Sequence, residues 1–376
     1  MVSVISVFAG DSVSSSQILP YICAKIITEM NNQYGIIMAG GVGSRFWPES
    51  TPEMPKQFLD LLGTGKSFIQ QTFERLNKSI PAGQIYILTN ERYRKLIKQQ
   101  LPQLSDEQII AEPVMRNTAP AILYAAKKIH ALNPQAVMLV APSDHFIAHE
   151  EKFTANVQTA FDEVTRYDKL MTLGIVPNSP NTGYGYIQYD KNDKNPVKKV
   201  LQFTEKPDFE TAQKFLAQGN FLWNAGIFVW SSDSILKAFK RYLPEMYQLM
   251  SEGDVLYNTL GEKDFIQKTF PQLQNISIDY GILEKANNVY VLPAEFVWND
   301  LGAWNAIYEQ LQQEGRDNVV IHSDLIADNS RGNLVKTNHK KVVLKDLNNY
   351  VVVDTKDTLM IIPRKDDQKV KEYANQ

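Results

Sequence analysis

The sequence predicts an α/β protein: a mixed, mostly parallel sheet with helices on both faces, plus a small β-rich C-terminal appendage. Three observations carry this. Short apolar runs alternate with helix-like segments roughly every 25 residues, the spacing of βαβ units. Two runs end in marked polar turns, Gly40–Gly43 and Pro142–His145. Ligands of such sheets bind beyond the carboxyl ends of the strands, so both turns are candidates to face one site. From Asn318 the texture changes to short apolar runs broken by Asp, Asn and Gly, and this marks the appendage.

Each element follows in order. Tyr34–Ala39 is a short apolar run before a glycine cluster and reads as a buried strand. Ser67–Leu76 reads as a helix, with Ser67 at its N-cap. Gln84–Thr89, Gln108–Glu112 and Ala136–Ala141 read as strands. Glu91–Gln100 and Pro120–Leu132 are the helices between them. Further on, Leu170–Ile175, Val200–Thr204 and Ile227–Trp230 read as strands. Phe209–Ala217, Ser234–Tyr242 and Gly302–Gln312 read as helices. Too little repeats in the tail to establish a solenoid.

The chain has 376 residues, enough for about two domains at roughly 150 residues each. The expected boundaries are an N-terminal extension over 1–29, a main domain over 30–314 and the appendage over 315–376. The extension lacks the positive start of a secretory signal. One expectation is that translation starts at Met30 and the upstream stretch is a gene-start artefact. The alternative is a weak amphipathic helix around Ile18–Ile27.

Composition excludes several functions. Lys plus Arg is 39 and Asp plus Glu is 42, a net charge of −3. No bulk positive field attracts nucleic acid or an anionic membrane, so an anionic substrate needs a local cluster. The single cysteine, Cys23, allows neither an internal disulfide framework nor a Cys-based zinc site. It fits a reducing cytoplasm. No stretch approaches the roughly 18 apolar residues of a membrane span.

The strongest motif is Gly40-Gly41-Val42-Gly43-Ser44-Arg45-Phe46-Trp47-Pro48, followed by Pro55-Lys56-Gln57-Phe58. Glycines after a strand let backbone N–H groups approach phosphates. Arg45 can fork onto phosphate oxygens and Lys56 can supply a point charge. The bland alternative is a tight turn with two solvated cations. A dinucleotide fingerprint would need glycine where Phe46 stands, and a P-loop at Gly63-Thr64-Gly65-Lys66-Ser67 would need glycine at Asp60. The latter reads as a surface turn.

These residues resemble the signature of sugar-1-phosphate nucleotidyltransferases, and the PKQF form is similar to the mannose-1-phosphate guanylyltransferases. The resemblance runs on, in order, through Glu112-Pro113-Val114-Met115-Arg116-Asn117-Thr118-Ala119-Pro120-Ala121 and Pro142-Ser143-Asp144-His145. It continues through Gly183-Tyr184-Gly185-Tyr186-Ile187, Phe203-Thr204-Glu205-Lys206-Pro207 and Trp223-Asn224-Ala225-Gly226-Ile227-Phe228. It ends with Ser277-Ile278-Asp279-Tyr280-Gly281 and Phe296-Val297-Trp298-Asn299-Asp300-Leu301-Gly302-Ala303-Trp304. Ala303 departs from the serine usual there.

The resemblance implies a Rossmann-like fold of the nucleotide-diphospho-sugar transferase type, with 30–314 as its catalytic domain. The form expected is the one without the further isomerase domain of bifunctional relatives. It implies attack by a sugar phosphate oxygen on the α-phosphorus of a nucleoside triphosphate, GTP for this branch, with mannose 1-phosphate as acceptor. Such a reaction mainly demands positioning and charge neutralisation. The five histidines suggest no Ser-His-Asp set. Another hexose 1-phosphate, another base, or a regulatory paralogue without turnover are the alternatives.

The implied roles are these. Arg45 and Lys56 act on the triphosphate, held by Gly40, Gly41, Gly43, Glu112, Arg116, Asn117 and Thr118. Gly185, Glu205, Lys206, Asn224 and Asp279 hold the sugar phosphate, and Asp144 and Asp300 hold Mg²⁺. Mg²⁺ prefers one or two carboxylates beside phosphate oxygens and waters. Each role has a bland counterpart. Asp144, Asp300, Asn117 and Thr118 could cap helices or close turns. Glu205–Lys206 could be an exposed ion pair, and Asp279 could be structural. His145 stays unassigned. The tail either covers the core or carries the interface of a homodimer, since its strands expose edges.

Overall fold

The computed structural model describes residues 32–374 apart from Val42. The extension over 1–29, the helix around 18–27 and Met30 lie outside the described residues. Four parallel strands open the described part of the chain: β1 (Gln33–Ala39), β2 (Ile85–Asn90), β3 (Ile109–Glu112) and β4 (Val137–Pro142). Helices α1 (Phe68–Leu76), α2 (Arg94–Gln100) and α3 (Thr118–Leu132) cross between them. Ser67 caps α1 as expected, in a reciprocal capping box with Gln70.

After β4 come β5 (Phe146–Ala148), α4 (Glu150–Arg166), β6 (Leu170–Ile175), β7 (Tyr186–Tyr189) and β8 (Lys198–Thr204). Then follow α5 (Phe209–Gln218), β9 (Phe221–Ser231), α6 (Ser232–Tyr242), α7 (Pro244–Ser251), α8 (Glu262–Thr269) and β10 (Val289–Pro293). The nine-stranded sheet has the order β3-β2-β1-β4-β9-β6-β10-β8-β7. Strand β9 runs antiparallel to β4, β6 and β7. The parallel run therefore stops at β4 and returns only where β10 joins β6.

Strands β1, β2, β4 and β6 are buried on both faces, which explains their near-continuous apolar sequences. In β1, Ile36 packs with Met138, Phe228 and α3 on one face, and Ile37 packs with Leu139, α1 and α4 on the other. Both isoleucines are fully buried. Each such side chain contributes about 1.5–3 kcal/mol relative to exposure.

A short ribbon pairs β5 with β11 (Val297–Asn299), and α9 (Trp304–Leu311) follows. The tail then winds as a coil of β12 (Val319–Ile321), β13 (Asp324–Asp328), β14 (Leu334–Lys336), β15 (Lys341–Lys345), β16 (Tyr350–Asp354) and β17 (Leu359–Pro363). Strands β12, β14 and β16 stack in parallel, Val319 beside Leu334 beside Val351, with β13 on β15 in a second sheet. An asparagine ladder links the coils: the Asn333 amide donates to Asn318 Oδ1 at 2.9 Å and to the Leu347 carbonyl at 2.8 Å. The helix α10 (Val370–Tyr373) ends the described chain. Among the described residues, no helix is long and apolar enough to cross a membrane.

Candidate active site

The glycine motif leaves β1 and closes in a 3₁₀ turn, Ser44–Phe46. Gly43 has φ 72°, and a Cβ there would lie 2.5 Å from the Cβ of Lys56. Only glycine lets the two segments meet this closely. Gln57 ties them by donating to the carbonyls of Ala39 at 3.2 Å and Gly41 at 2.9 Å.

Lys56 lies at the centre and is only 4% exposed. Its ammonium is 3.1 Å from Asp144 Oδ2 and donates to the Asp300 carbonyl at 2.8 Å. The rings of Phe46 and Phe68 flank it, with centroids 5.2 and 5.4 Å away. Burial pushes the Asp144 carboxyl up, but the Lys56 charge, the His145 ring and the hydrogen bonds to the carboxylate together outweigh this and hold it below the ordinary range.

The ribbon β5–β11 unites the two aspartates, since Phe146 pairs with Asn299 in its register. Neither aspartate caps a helix: α4 starts behind His149 and α9 behind Ala303. The Tyr184 hydroxyl donates to Asp300 Oδ1 at 2.7 Å. Burial and the Asp300 charge raise the Tyr184 phenol, so it stays a donor. Leu301, beside Asp300, is fully buried with φ 47°, and its N–H donates to Asn299 Oδ1 at 2.7 Å. His145 accepts from Trp298 Nε1 at 3.1 Å, and burial lowers its ring toward the neutral form.

Glu112 ends β3 and is 6% exposed. Its Oε2 has no hydrogen-bond partner among the described residues. A Cβ on Gly40 would lie 3.6 Å from its Oε1, so this carboxyl faces the glycine motif. Burial pushes its pKa up to about 8. The folded chain thus binds this proton more tightly than the unfolded chain does. Its contribution to stability is present below the ordinary carboxyl value and is lost as pH rises toward about 8. Glu112→Gln is therefore expected to melt roughly 2–4 °C higher than the parent at pH 8, with no difference near pH 4. Thermal scans at the two pH values check this.

The other expected nucleotide residues are differently engaged. Arg45 is exposed, and its charge acts on the tail's Asp367. Arg116 donates to the Pro271 carbonyl. Asn117 Oδ1 accepts from the Thr118 N–H, the capping arrangement. Thr118 Oγ1 accepts from the Ile278 N–H at 2.9 Å, which anchors the turn bearing Asp279.

The five expected sugar-phosphate residues do converge. Asn224 Nδ2 donates to Asp279 Oδ1 at 3.0 Å, and its N–H donates to the Gly185 carbonyl at 2.8 Å. Glu205 Oε1 is 2.9 Å from Lys206 Nζ. Burial, then the Glu205 charge, push Asp279 up to about 7. A Cβ on Gly185 would lie 2.4 Å from Glu205 Oε2. On the sugar-phosphate role that the resemblance implies for these residues, Gly185→Ala is expected to displace that carboxylate and raise KM for the sugar phosphate about 10-fold, with KM for the nucleotide unchanged. Steady-state kinetics with each substrate varied in turn checks this.

Three supporting residues were not singled out from the sequence: Tyr184, Gln57 and Thr172. Thr172 Oγ1 donates to Asn224 Oδ1 at 2.9 Å. The first two sit inside the quoted GYGYI and PKQF segments, and that was their signal. Among the described residues, no group of three or more His, Cys, Asp or Glu could hold a metal ion, so a cation here would rest on the two aspartates. A cavity of ≈ 500 Å³ lies at the opposite, amino-terminal end of the strands, beside His130 and Arg166, and contains none of these residues.

Residues 34–316 match the family described as Nucleotidyl transferase. A mannose-1-phosphate guanylyltransferase of Salmonella montevideo is 36% identical over 350 residues, covering 90% of this chain and 72% of that protein. One of Escherichia coli (strain K12) is 36% identical over 355 residues, covering 91% and 73%. A crystal structure described as mannose-1-phosphate geranyltransferase from Thermus thermophilus superposes with a TM-score of 0.82 at 27% identity, covering 92% of this chain and 98% of that one. With the glycine motif, the buried lysine and the two aspartates at one end of this sheet, the chain belongs to the nucleotidyl transferase family and, within it, to the mannose-1-phosphate guanylyltransferases.

Proposed function

We propose that this protein transfers GMP from GTP to α-D-mannose 1-phosphate, giving GDP-mannose and pyrophosphate, in the cytoplasm. A phosphate oxygen of the sugar attacks the α-phosphorus and forms the new P–O bond. The bond between the α-phosphorus and the oxygen bridging to the β-phosphorus breaks, and pyrophosphate leaves with that electron pair. The observation that carries this reading is the Lys56 ammonium, buried between Asp144 and the Asp300 carbonyl beside the glycine motif. A cation fixed there neutralises phosphate charge without reorganising during the reaction.

The N–H groups around Gly40, Gly41 and Gly43 and the Arg45 guanidinium receive the triphosphate. Lys206 orients the attacking phosphate, and Glu205, Asn224 and Asp279 hold sugar hydroxyls against Gly185. Arg116, Asn117 and Thr118 shape the loop that supports the nucleotide. Asp144 and Asp300 would hold Mg²⁺, their hard oxygens suiting that ion. When bound, it supplies positive charge to the phosphates.

Glu112 supports guanine as the base. Burial favours the protonated Glu112 carboxyl in the free site, and the two donors of guanine, N1–H and the exocyclic amine, favour its ionised form, which accepts from both; uracil and thymine offer one donor between two acceptors. Glu112→Gln is expected to lower kcat/KM for GTP about 100-fold and to leave the poor rate with UTP unchanged. Competition between the two nucleotides measures it.

The test of the reaction is pyrophosphate release from GTP, with and without mannose 1-phosphate, in Mg²⁺ and then in EDTA. Release is expected only with sugar phosphate and metal together. Parallel runs with UTP, dTTP and glucose 1-phosphate rank the substrates. No release from folded protein with any pair would reject the reading in favour of a nucleotide-sugar-sensing paralogue.

A further inference from the structure

The tail packs on the phosphate end of the site. Val319, Leu334 and Val353 of the coil share one buried cluster with Phe46, Leu301 and Trp304. Phe46 follows Arg45 in sequence, and its ring flanks Lys56. Leu301 follows Asp300, whose carbonyl receives the Lys56 ammonium. Polar links run the same way. Lys336, on β14 of the coil, reaches Glu49 at 2.6 Å, with side-chain exposures of 7% and 17%. Glu49 directly follows the glycine motif. Trp304 Nε1 donates to the Trp47 carbonyl at 3.2 Å. Asp367, buried beyond β17, accepts from the Asn305 N–H at 2.9 Å and feels the charge of Arg45.

We infer that the C-terminal coil is a positioning element of the nucleotide site, with Lys336 holding Glu49 and thereby the segment that carries Arg45. The coil touches both walls around Lys56 through one apolar cluster, and the ion pair fixes the end of the glycine motif where no regular strand does. A buried ion pair specifies geometry more than stability, and loss of one partner leaves the other charge uncompensated. Without Lys336, Glu49 turns toward water and draws Trp47 and Arg45 out of register with the phosphates. The partners of Glu205, Lys206 and Asn224 lie in the main domain, among them Gly185, Asp279, Glu284 and Thr172, so the sugar subsite keeps its shape. This inference rests on the proposed triphosphate role of the motif.

The test compares Lys336→Met, Glu49→Gln and the exchanged pair Glu49→Lys with Lys336→Glu. Lys336→Met keeps the length of the side chain and removes its charge. It is expected to lower kcat/KM for GTP at least 10-fold, with KM for mannose 1-phosphate within 2-fold of the parent. Glu49→Gln gives the same split if Lys336→Met does not fold. The exchanged pair is expected to recover most of the loss, which a general destabilisation would not allow. Amide hydrogen exchange of residues 44–50 is expected to accelerate in Lys336→Met and to return to the parent rate in the exchanged pair.

Unchanged GTP kinetics and unchanged exchange in folded Lys336→Met would overturn the inference. So would equal losses for both substrates with no recovery in the exchanged pair. If the parent itself turns over no substrate pair, the proposed reaction fails instead. Amide exchange and GTP titration by calorimetry then still decide whether the coil positions the motif.

Discussion

Lys56→Met is expected to lower kcat about 1,000-fold while the protein stays folded. Methionine keeps the volume between the Phe46 and Phe68 rings, so the apolar cluster loses little. What disappears is the ammonium that meets both Asp144 and the Asp300 carbonyl. Arginine is no substitute, since the lysine is 4% exposed and its Cβ already abuts Gly43. The change also has a pH signature. Lys56 holds the Asp144 carboxyl below the ordinary range, so the pair contributes stability above roughly pH 4. That contribution is lost as pH falls through the depressed value. Lys56→Met removes it and leaves burial to raise the Asp144 carboxyl, so the acid limb of the rate profile moves to higher pH. Pyrophosphate release against pH, with thermal scans of the same protein, reads both effects. More than a tenth of the parent kcat would remove Lys56 from the reacting centre.

The second large effect falls on the aspartates. Asp144→Asn and Asp300→Asn are each expected to lower kcat about 100-fold at saturating GTP, and EDTA is expected to abolish turnover in the parent. The double substitution should cost little more than either single one, because two ligands of one ion act as a unit. The Mg²⁺ concentration at half-maximal rate is expected to rise at least 10-fold in each variant. The Asp300 carbonyl and the Tyr184 hydroxyl survive these changes, so the site keeps its frame. Normal Mg²⁺-dependent rates in both single variants would show that the two aspartates are not the metal site.

Much of the fold is legible locally. The strand read at Tyr34–Ala39 is β1 less one residue, and Leu170–Ile175 is β6 from end to end. These runs are buried on both faces, so their apolar continuity is undiluted. The Gly63–Ser67 turn is also as read: Asp60 accepts the N–H groups of Thr64 at 3.0 Å and Gly65 at 2.7 Å, and Lys66 pairs with Glu74. A side-chain carboxylate occupies the donors that a phosphate would need.

Other elements leave a weaker trace in the sequence. Helix α4 carries Phe153, Val157, Ala160, Phe161 and Val164 on its buried face, a clear helical period. Its start is obscured because it begins in a polar stretch after His149. Strand β9 extends well before the expected Ile227, since Asn224 and Gly226 break the apolar run that identifies a strand. The coil is legible only as β-rich. Its three parallel turns share register but little sequence, as Val319, Leu334 and Val351 alone do not make a repeat.

The site divides along the same line. The glycine motif and PKQF act within 20 residues of each other, so composition and spacing reveal them, and the collinear motifs carried the family. The meeting of Lys56 with Asp300 joins positions 244 residues apart. It depends on the β5–β11 register, on the left-handed turn at Leu301 and on the cluster beneath the coil. No local pattern encodes such a meeting. It arises from the summed burial of distant apolar side chains, which only the folded chain brings into contact, and that same burial raises the carboxyls of Glu112 and Asp279, while the charges it gathers around Asp144 hold that one down.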